Sequence, residues 1–253
     1  MLDGIMRAAL ASLALVLTVG AAYAGVTRDT LWVVTRTCVA AQATFGKPFP
    51  CLQVDLGSHD RPGFAVLKAP LLKTEVVVMP TDRIAGLEDH SLQTASGASY
   101  WRAATEARHF VTDALRGRID ISDLAFAVNS QGGRSQDQLH IHIDCVQPAV
   151  RAALRANTRV FTSEWRSLPF SLERQRYYGK FIPAAALNGL NPFAQLTRLP
   201  GPHDLDATSF AMVSTSPGDP ADGAYLLAYR SGDSHAEWLL DHDCALASKT
   251  AAQ

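Results

Sequence analysis

Two imidazoles separated by one residue stand out in the chain, within Asn129-Ser-Gln-Gly-Gly-Arg-Ser-Gln-Asp-Gln-Leu-His-Ile-His-Ile-Asp-Cys145. Strict alternation over residues 138–144 places Gln138, His140, His142 and Asp144 on one face of an extended segment, and Leu139, Ile141 and Ile143 on the other. A neutral imidazole is a competent nucleophile near pH 7, whereas a serine hydroxyl needs a base beside it. Attack on phosphorus demands near in-line geometry, which a stiff strand can hold. The charge that builds on the phosphoryl oxygens must be met by fixed donors, and the residues just upstream supply candidates. Gly132 and Gly133 would let backbone N–H groups approach an anion closely, and Asn129, Arg134, Ser135 and Gln136 would add side-chain donors.

Other chemistry is open to the same residues. A His-x-His pair on a strand can also present two zinc ligands, with Asp144 or His242 completing the set. The bland alternative is a pair of packed or solvated strand histidines. A third reading is a periplasmic module without enzymatic activity, whose loop holds a phosphorylated head group.

These residues need a scaffold. At 253 residues and 47% apolar content the chain can bury a sizeable core. A formal net charge of -1 provides no basic field for nucleic acid, so any phosphate must be held locally. Residues 27–42 carry apolar positions at helical spacing. Residues 63–68 and 74–80 are β-rich and separated by a turn, and so predict a hairpin. The i, i+3, i+4 pattern of Tyr100, Trp101, Ala104, Ala107, Val111 and Leu115 predicts an amphipathic helix over residues 97–118. Strands are expected at 121–128 and 139–146 around the polar loop 129–137. Pro148 would open a helix through residue 157, and a second hairpin is expected over 209–214 and 224–229. That hairpin faintly echoes the one at 63–80. Chance is the preferred explanation of the echo, and a degenerate second half is the alternative.

The first segment is set apart from the fold. Met6 and Arg7 lead into an apolar run with no charge until Arg28, and Ala22-Tyr-Ala24 fits the small-x-small cleavage rule. The run is also long enough to span a bilayer, so residues 1–26 are expected to be either a signal peptide or a membrane anchor. Export would place Cys38, Cys51, Cys145 and Cys244 in an oxidising compartment. Of three possible pairings, the expected one joins Cys38 to Cys51 and Cys145 to Cys244. The alternative is four reduced, buried thiols. Cys-x-x-Cys spacing does not occur, which gives no support to a zinc ribbon.

With Asn129-Ser130, Gly133-Arg134, Gln136, His140-Ile-His142-Ile and Cys145 in view, the sequence resembles the CDP-diacylglycerol pyrophosphatases of the histidine-triad (HIT) superfamily. The likeness extends to residues 63–68, to Met79-Pro80-Thr81 with Arg83-Ile84, to the cysteine-bounded N-terminal region and to His242-Asp-Cys244. The resemblance implies an α+β fold with a HIT-like antiparallel sheet and flanking helices over residues 27–253. It implies hydrolysis of CDP-diacylglycerol to CMP and phosphatidate without a cofactor or metal. It also implies an inner-membrane anchor with the catalytic domain in the periplasm, in contact with the membrane surface; a secreted periplasmic form is the alternative. In the His-φ-His-φ-His pattern the middle histidine is the nucleophile, which falls on His140, and the last falls on His142. The first position is Gln138, which can form hydrogen bonds but cannot carry a proton. Lys68, at a strand end, is a weaker phosphate-binding candidate, with Arg83 in a similar position. Trp165, Tyr177, Tyr178 and Phe181 are expected to pack in the interior rather than meet an acyl chain.

Overall fold

The computed structural model describes residues 27–250. The expected signal or anchor segment, residues 1–26, lies outside the described residues. Among those described, no helix is long and apolar enough to cross a membrane.

The chain runs α1 (Thr30–Phe45), β1 (Gln53–Asp55), β2 (Phe64–Lys68), β3 (Val76–Pro80), α2 (Ala95–Ala114), β4 (Leu124–Val128), β5 (Ile141–Val146) and α3 (Pro148–Ala156). It continues through β6 (Arg166–Ser167), β7 (Tyr178–Pro183), α4 (Pro192–Leu196), β8 (Thr208–Ser214), β9 (Gly223–Arg230), β10 (Leu240–Asp241) and α5 (Ala245–Thr250). The α+β class is as expected from the sequence, and element ends move for local reasons. Helix α1 runs on to Phe45 and stops where Gly46, at φ 65°, donates its N–H to the Gln42 carbonyl. Helix α2 begins earlier than residue 97, because the Thr94 hydroxyl accepts from the Ser96 N–H. It ends before residue 118, where Arg116 and Gly117 turn left-handed. The strand expected from residue 121 starts at Leu124, after a 3-10 turn whose N-cap Asp120 accepts from Ser122 N–H.

Ten strands form one antiparallel sheet in the order β1-β2-β3-β5-β4-β8-β9-β7-β6, with β10 pairing β5 off this path. The order repeats. Hairpin β2–β3, helix α2 and hairpin β4–β5 give β2-β3-β5-β4. Hairpin β6–β7, helix α4 and hairpin β8–β9 give β6-β7-β9-β8, and the two halves meet at β4–β8. The repeat is therefore present in topology, yet it matches β8–β9 with β4–β5. The 63–80 hairpin, β2–β3, holds the place of β6–β7 instead.

Both sheet faces are covered. On one, α2 packs Tyr100, Trp101, Ala104 and Val111 against Phe126, Ile141, Ile143, Phe210 and Met212. On the other lie two separate apolar clusters. One holds α1 and the Cys38–Cys51 disulfide against Ala65, Val77 and Met79. The second joins Val150 and Leu154 of α3 to Ala125, Ala127, Ala211, Val213 and Leu227. Between them runs the polar row of His140, His142 and Asp144. Both expected disulfides form, and Cys145–Cys244 ties β5 to the chain beyond β10. Of the aromatic residues named above, Trp165 and Tyr177 are buried in the interior.

Candidate active site

The geometry of the histidine row starts from the cross-strand register. His142 is paired on one side with Val77 and on the other with Ala127. Ala127 pairs with Ala211 across the central seam, and Ala211 pairs with Leu227. His142 and Leu227 thus lie in line on one face of the sheet, in the strands β5 and β9 that the topology matches. The corresponding face of β9 carries Tyr225, Leu227 and Tyr229 in place of the histidine row, so only the first half presents imidazoles there.

His140 stands one residue before the start of β5, because Leu139 N–H bonds to the Ile84 carbonyl rather than to a strand neighbour. Its ring is buried, and Nδ1 lies 2.6 Å from the Gln138 carbonyl oxygen. A carbonyl can only accept, so Nδ1 carries the proton and Nε2 carries the lone pair. Burial, followed by the charge on His142, holds the His140 pKa down to about 4. At neutral pH this imidazole is uncharged, with its lone pair on Nε2.

His142 is in the opposite state. Its ring centroid lies 4.7 Å from that of His140. Nδ1 is 2.6 Å from Glu75 Oε1, and Nε2 is 3.6 Å from Glu237 Oε2. Burial pulls its pKa down, but the Glu237 charge and the hydrogen bond and charge of Glu75 outweigh that, leaving it raised. The buried Nε2 has no hydrogen-bond partner among the described residues, so its proton is available to an incoming oxygen.

Glu237 organises the far side. Its side chain accepts from Asn129 Nδ2 at 2.9 Å, and its backbone N–H donates to Asn129 Oδ1 at 3.1 Å. It also lies 3.7 Å from Nε2 of His242. His242 in turn places Nδ1 2.9 Å from Asp144 Oδ2, and this hydrogen bond raises its pKa. Asp144 is fully buried and also accepts from Thr74 Oγ1 at 2.7 Å and Cys145 N at 2.9 Å. The Cys145–Cys244 bridge keeps His242 within reach.

The expected phosphate ligands are placed less simply. Arg134 is buried and forms two bonds to Glu88, at 2.9 and 2.6 Å, and a further one to Asp137. Its charge is nonetheless close enough to depress His140, and both line one narrow cavity with Asn129 and Gly86. The Gly133 N–H donates to Ser130 Oγ at 3.2 Å instead of standing free. A Cβ there would lie 2.2 Å from the Ser234 carbonyl oxygen, so this glycine serves the packing of loop 129–137 on the segment after β9. Gln136 accepts from Leu31 N–H at 2.7 Å, Ser135 is exposed, and Lys68 Nζ bonds to the Leu72 carbonyl across its own turn. Gln138 Nε2 donates to the carbonyls of Pro80 and Asp82 at 2.9 and 3.0 Å, a bracing role. Arg83 pairs with Asp29.

Two groups of described residues bring potential metal-ligating atoms together: Asp144 with Cys145 and Cys244, and Glu75 with His142 and Glu237. The first contains disulfide sulfurs in place of thiolates. The second spends its contacts on a raised-pKa imidazole between two carboxylates, and neither includes His140. The two imidazoles are therefore not brought into one ligand set among the described residues.

A family model described as "CDP-diacylglycerol pyrophosphatase" matches residues 26–248. A protein of that name from Yersinia pestis is 35% identical over 222 residues, covering 85% of this chain and 84% of the relative. Another, from Mycobacterium bovis (strain BCG / Pasteur 1173P2), is 32% identical over 227 residues, covering 87% and 84% respectively. A "Probable CDP-diacylglycerol pyrophosphatase" from Mycobacterium leprae is 29% identical over 234 residues, covering 90% and 84%.

Proposed function

The chain belongs to the CDP-diacylglycerol pyrophosphatase family, and on that premise we propose that it hydrolyses CDP-diacylglycerol to CMP and phosphatidate with His140 as the nucleophile. The reading rests on one observation: His140 Nδ1 is committed to the Gln138 carbonyl, which leaves a neutral ring with its Nε2 lone pair beside a second, charged imidazole. Nε2 attacks one phosphorus of the anhydride and forms an N–P bond as the bridging P–O bond breaks. The departing phosphate oxygen takes the proton of His142, whose charge is maintained by Glu75 and Glu237. Arg134 and Asn129, which border the same narrow cavity, supply positive potential and a polar wall toward the phosphoryl oxygens. Water then attacks the phosphohistidine and gives up a proton to the His142–Glu237 pair. The N–P bond breaks, and His140 returns as a neutral base.

The His-x-His pattern on a central strand supports a HIT-like relationship for residues 27–253, with Gln138 bracing where that pattern has its first histidine. The two disulfides support export, with the domain on the periplasmic side of the inner membrane and residues 1–26 as its signal or anchor.

The test is to trap the intermediate. Enzyme is mixed with substrate labelled at phosphorus, quenched in alkali, where phosphohistidine survives, and mapped by mass spectrometry. Label is expected on His140 and is expected to disappear in acid. Turnover by His140→Asn at the wild-type rate, or label on another side chain, overturns the assignment.

A further inference from the structure

On the sheet face opposite the histidine row, a cavity of about 490 Å³ lies between α2, the β4–β8 seam and the loop that carries Leu187 and Leu190. Its floor is apolar. Phe126 pairs with Ile143 and Met212, so both lining residues face away from His142. Trp101 packs its ring 4.8 Å from Phe126. The volume falls within the range of small-ligand sites, which are mostly apolar with a few placed polar groups.

The placed polar group here is a cation. Arg108 points its guanidinium over the Phe126 ring at 5.7 Å and donates Nε to the Thr105 carbonyl of its own helix at 2.9 Å. It forms no ion pair among the described residues. Arg151, a buried arginine of α3, contrasts with it by pairing with Asp123 at 2.9 Å. Burial also depresses the Arg108 pKa. A half-buried cation facing an apolar hollow retains an unmet demand for an anion, and a ring face meets only part of it. Arg102, at the rim, adds positive charge, and none of the lining residues is acidic.

We propose that this cavity binds an amphiphilic anion, its single acyl chain lying over Trp101, Phe126 and Met212 and its acidic head meeting Arg108. The shared chemistry is one acyl chain bearing a carboxylate or a phosphomonoester, as in a fatty acid or a lysophosphatidate. The site is separate from the histidine row and does not depend on the reaction assigned there.

Brominated acyl chains quench a tryptophan that they touch, and Trp101 lies in the floor. The full chain is titrated with dibromostearate, with a dibromostearoyl lysophosphatidate and with the neutral dibromostearyl alcohol, each below its aggregation concentration. Saturable quenching is expected from at least one of the two anions, and their competition for one site identifies the preferred head group. Affinity is expected to fall at least ten-fold in Arg108→Gln and in the cavity-filling Ala98→Phe. Both variants should keep the wild-type hydrolytic rate, which also verifies folding. Trp101→Phe should lose the optical signal but keep calorimetric binding. Quenching that never saturates, equal affinity in Arg108→Gln, or equal affinity for the alcohol overturns the proposal.

Discussion

The Nδ1 atom of His140 lies 2.6 Å from the carbonyl oxygen of Gln138, two residues earlier on the same extended segment. A backbone acceptor cannot be protonated or removed by mutation, so it fixes the tautomer and aims the Nε2 lone pair permanently. Asparagine at 140 would keep a polar group of similar reach without a nucleophilic nitrogen. Replacing His140 with Asn is expected to reduce kcat on the order of 10⁴-fold or more, with KM changed little. Steady-state kinetics on the purified variant checks this, and a residual rate within ten-fold of wild type would contradict it.

The acid side of the pH behaviour follows from the same ring. His140 in the fold has a pKa of about 4, below the ordinary histidine value of 6.5. Between these values the unfolded chain binds a proton that the folded chain refuses, so this residue's contribution to stability falls as pH drops through that window. His140→Asn removes the linkage. Denaturant titrations from pH 7 to 4 should therefore show a shallower loss of stability in the variant, and parallel curves would count against a neutral buried imidazole.

On the alkaline side, the proposed mechanism requires His142 to hold its proton as the acid. The charge of Glu237 and the hydrogen bond of Glu75 raise its pKa against the effect of burial. Glu237→Gln removes the largest of the raising influences, so the alkaline limb of kcat/KM is expected to move to lower pH. Activity at the alkaline end should fall more than at pH 6. A uniform loss across the profile would instead assign Glu237 a purely structural place.

The placement of these side chains was legible in the sequence where it depended on period-two alternation: Gln138, His140, His142 and Asp144 share a face because a strand must put them there. The same holds for α2, whose apolar spacing survived into the packing of Trp101 and Val111. Glu75 and Glu237 were not legible. The first is one charged residue at the head of a valine-rich strand, and its meaning depends on the pairing of β3 with β5. The second sits in a 3-10 turn 95 residues beyond His142, brought in only by the return of the chain after β9. His242 had a faint signal through its neighbour Cys244. Gly133 and Arg134 were visible as residues, but their partners, Ser234 and Glu88, are long-range contacts that no local pattern encodes.

Gln138 is expected to matter for stability more than for rate. Its amide donates to the buried carbonyl of Pro80 and the more exposed one of Asp82, from a fully buried position. Alanine would leave both acceptors unpaired, at a cost of about 1–3 kcal/mol. A lowered denaturation midpoint is the expected readout, with kcat at low temperature falling less than ten-fold. Complete loss of turnover in a folded Gln138→Ala protein would instead give the glutamine a direct part in the chemistry.

Gly133 of loop 129–137 and Gly117 after α2 supply the sharpest contrast between two glycines. Gly133 packs its backbone against the Ser234 carbonyl, and a Cβ there would approach that oxygen to 2.2 Å. Neither backbone can yield without disturbing Ser130, whose N–H and hydroxyl both bond to the same carbonyl at 3.1 and 2.9 Å. Movement of Ser130 carries Asn129 with it, and Asn129 holds Glu237 beside His142. Gly133→Ala is therefore expected to cost stability and to lower kcat at least ten-fold by separating that pair. Gly117, at φ 70° with open space where its Cβ would be, offers the control. Alanine there carries only the left-handed backbone cost of about 1 kcal/mol and sits at the end of α2, away from the histidines. If Gly133→Ala proved as mild in rate as Gly117→Ala, the loop would not be what holds Asn129 and Glu237 in place.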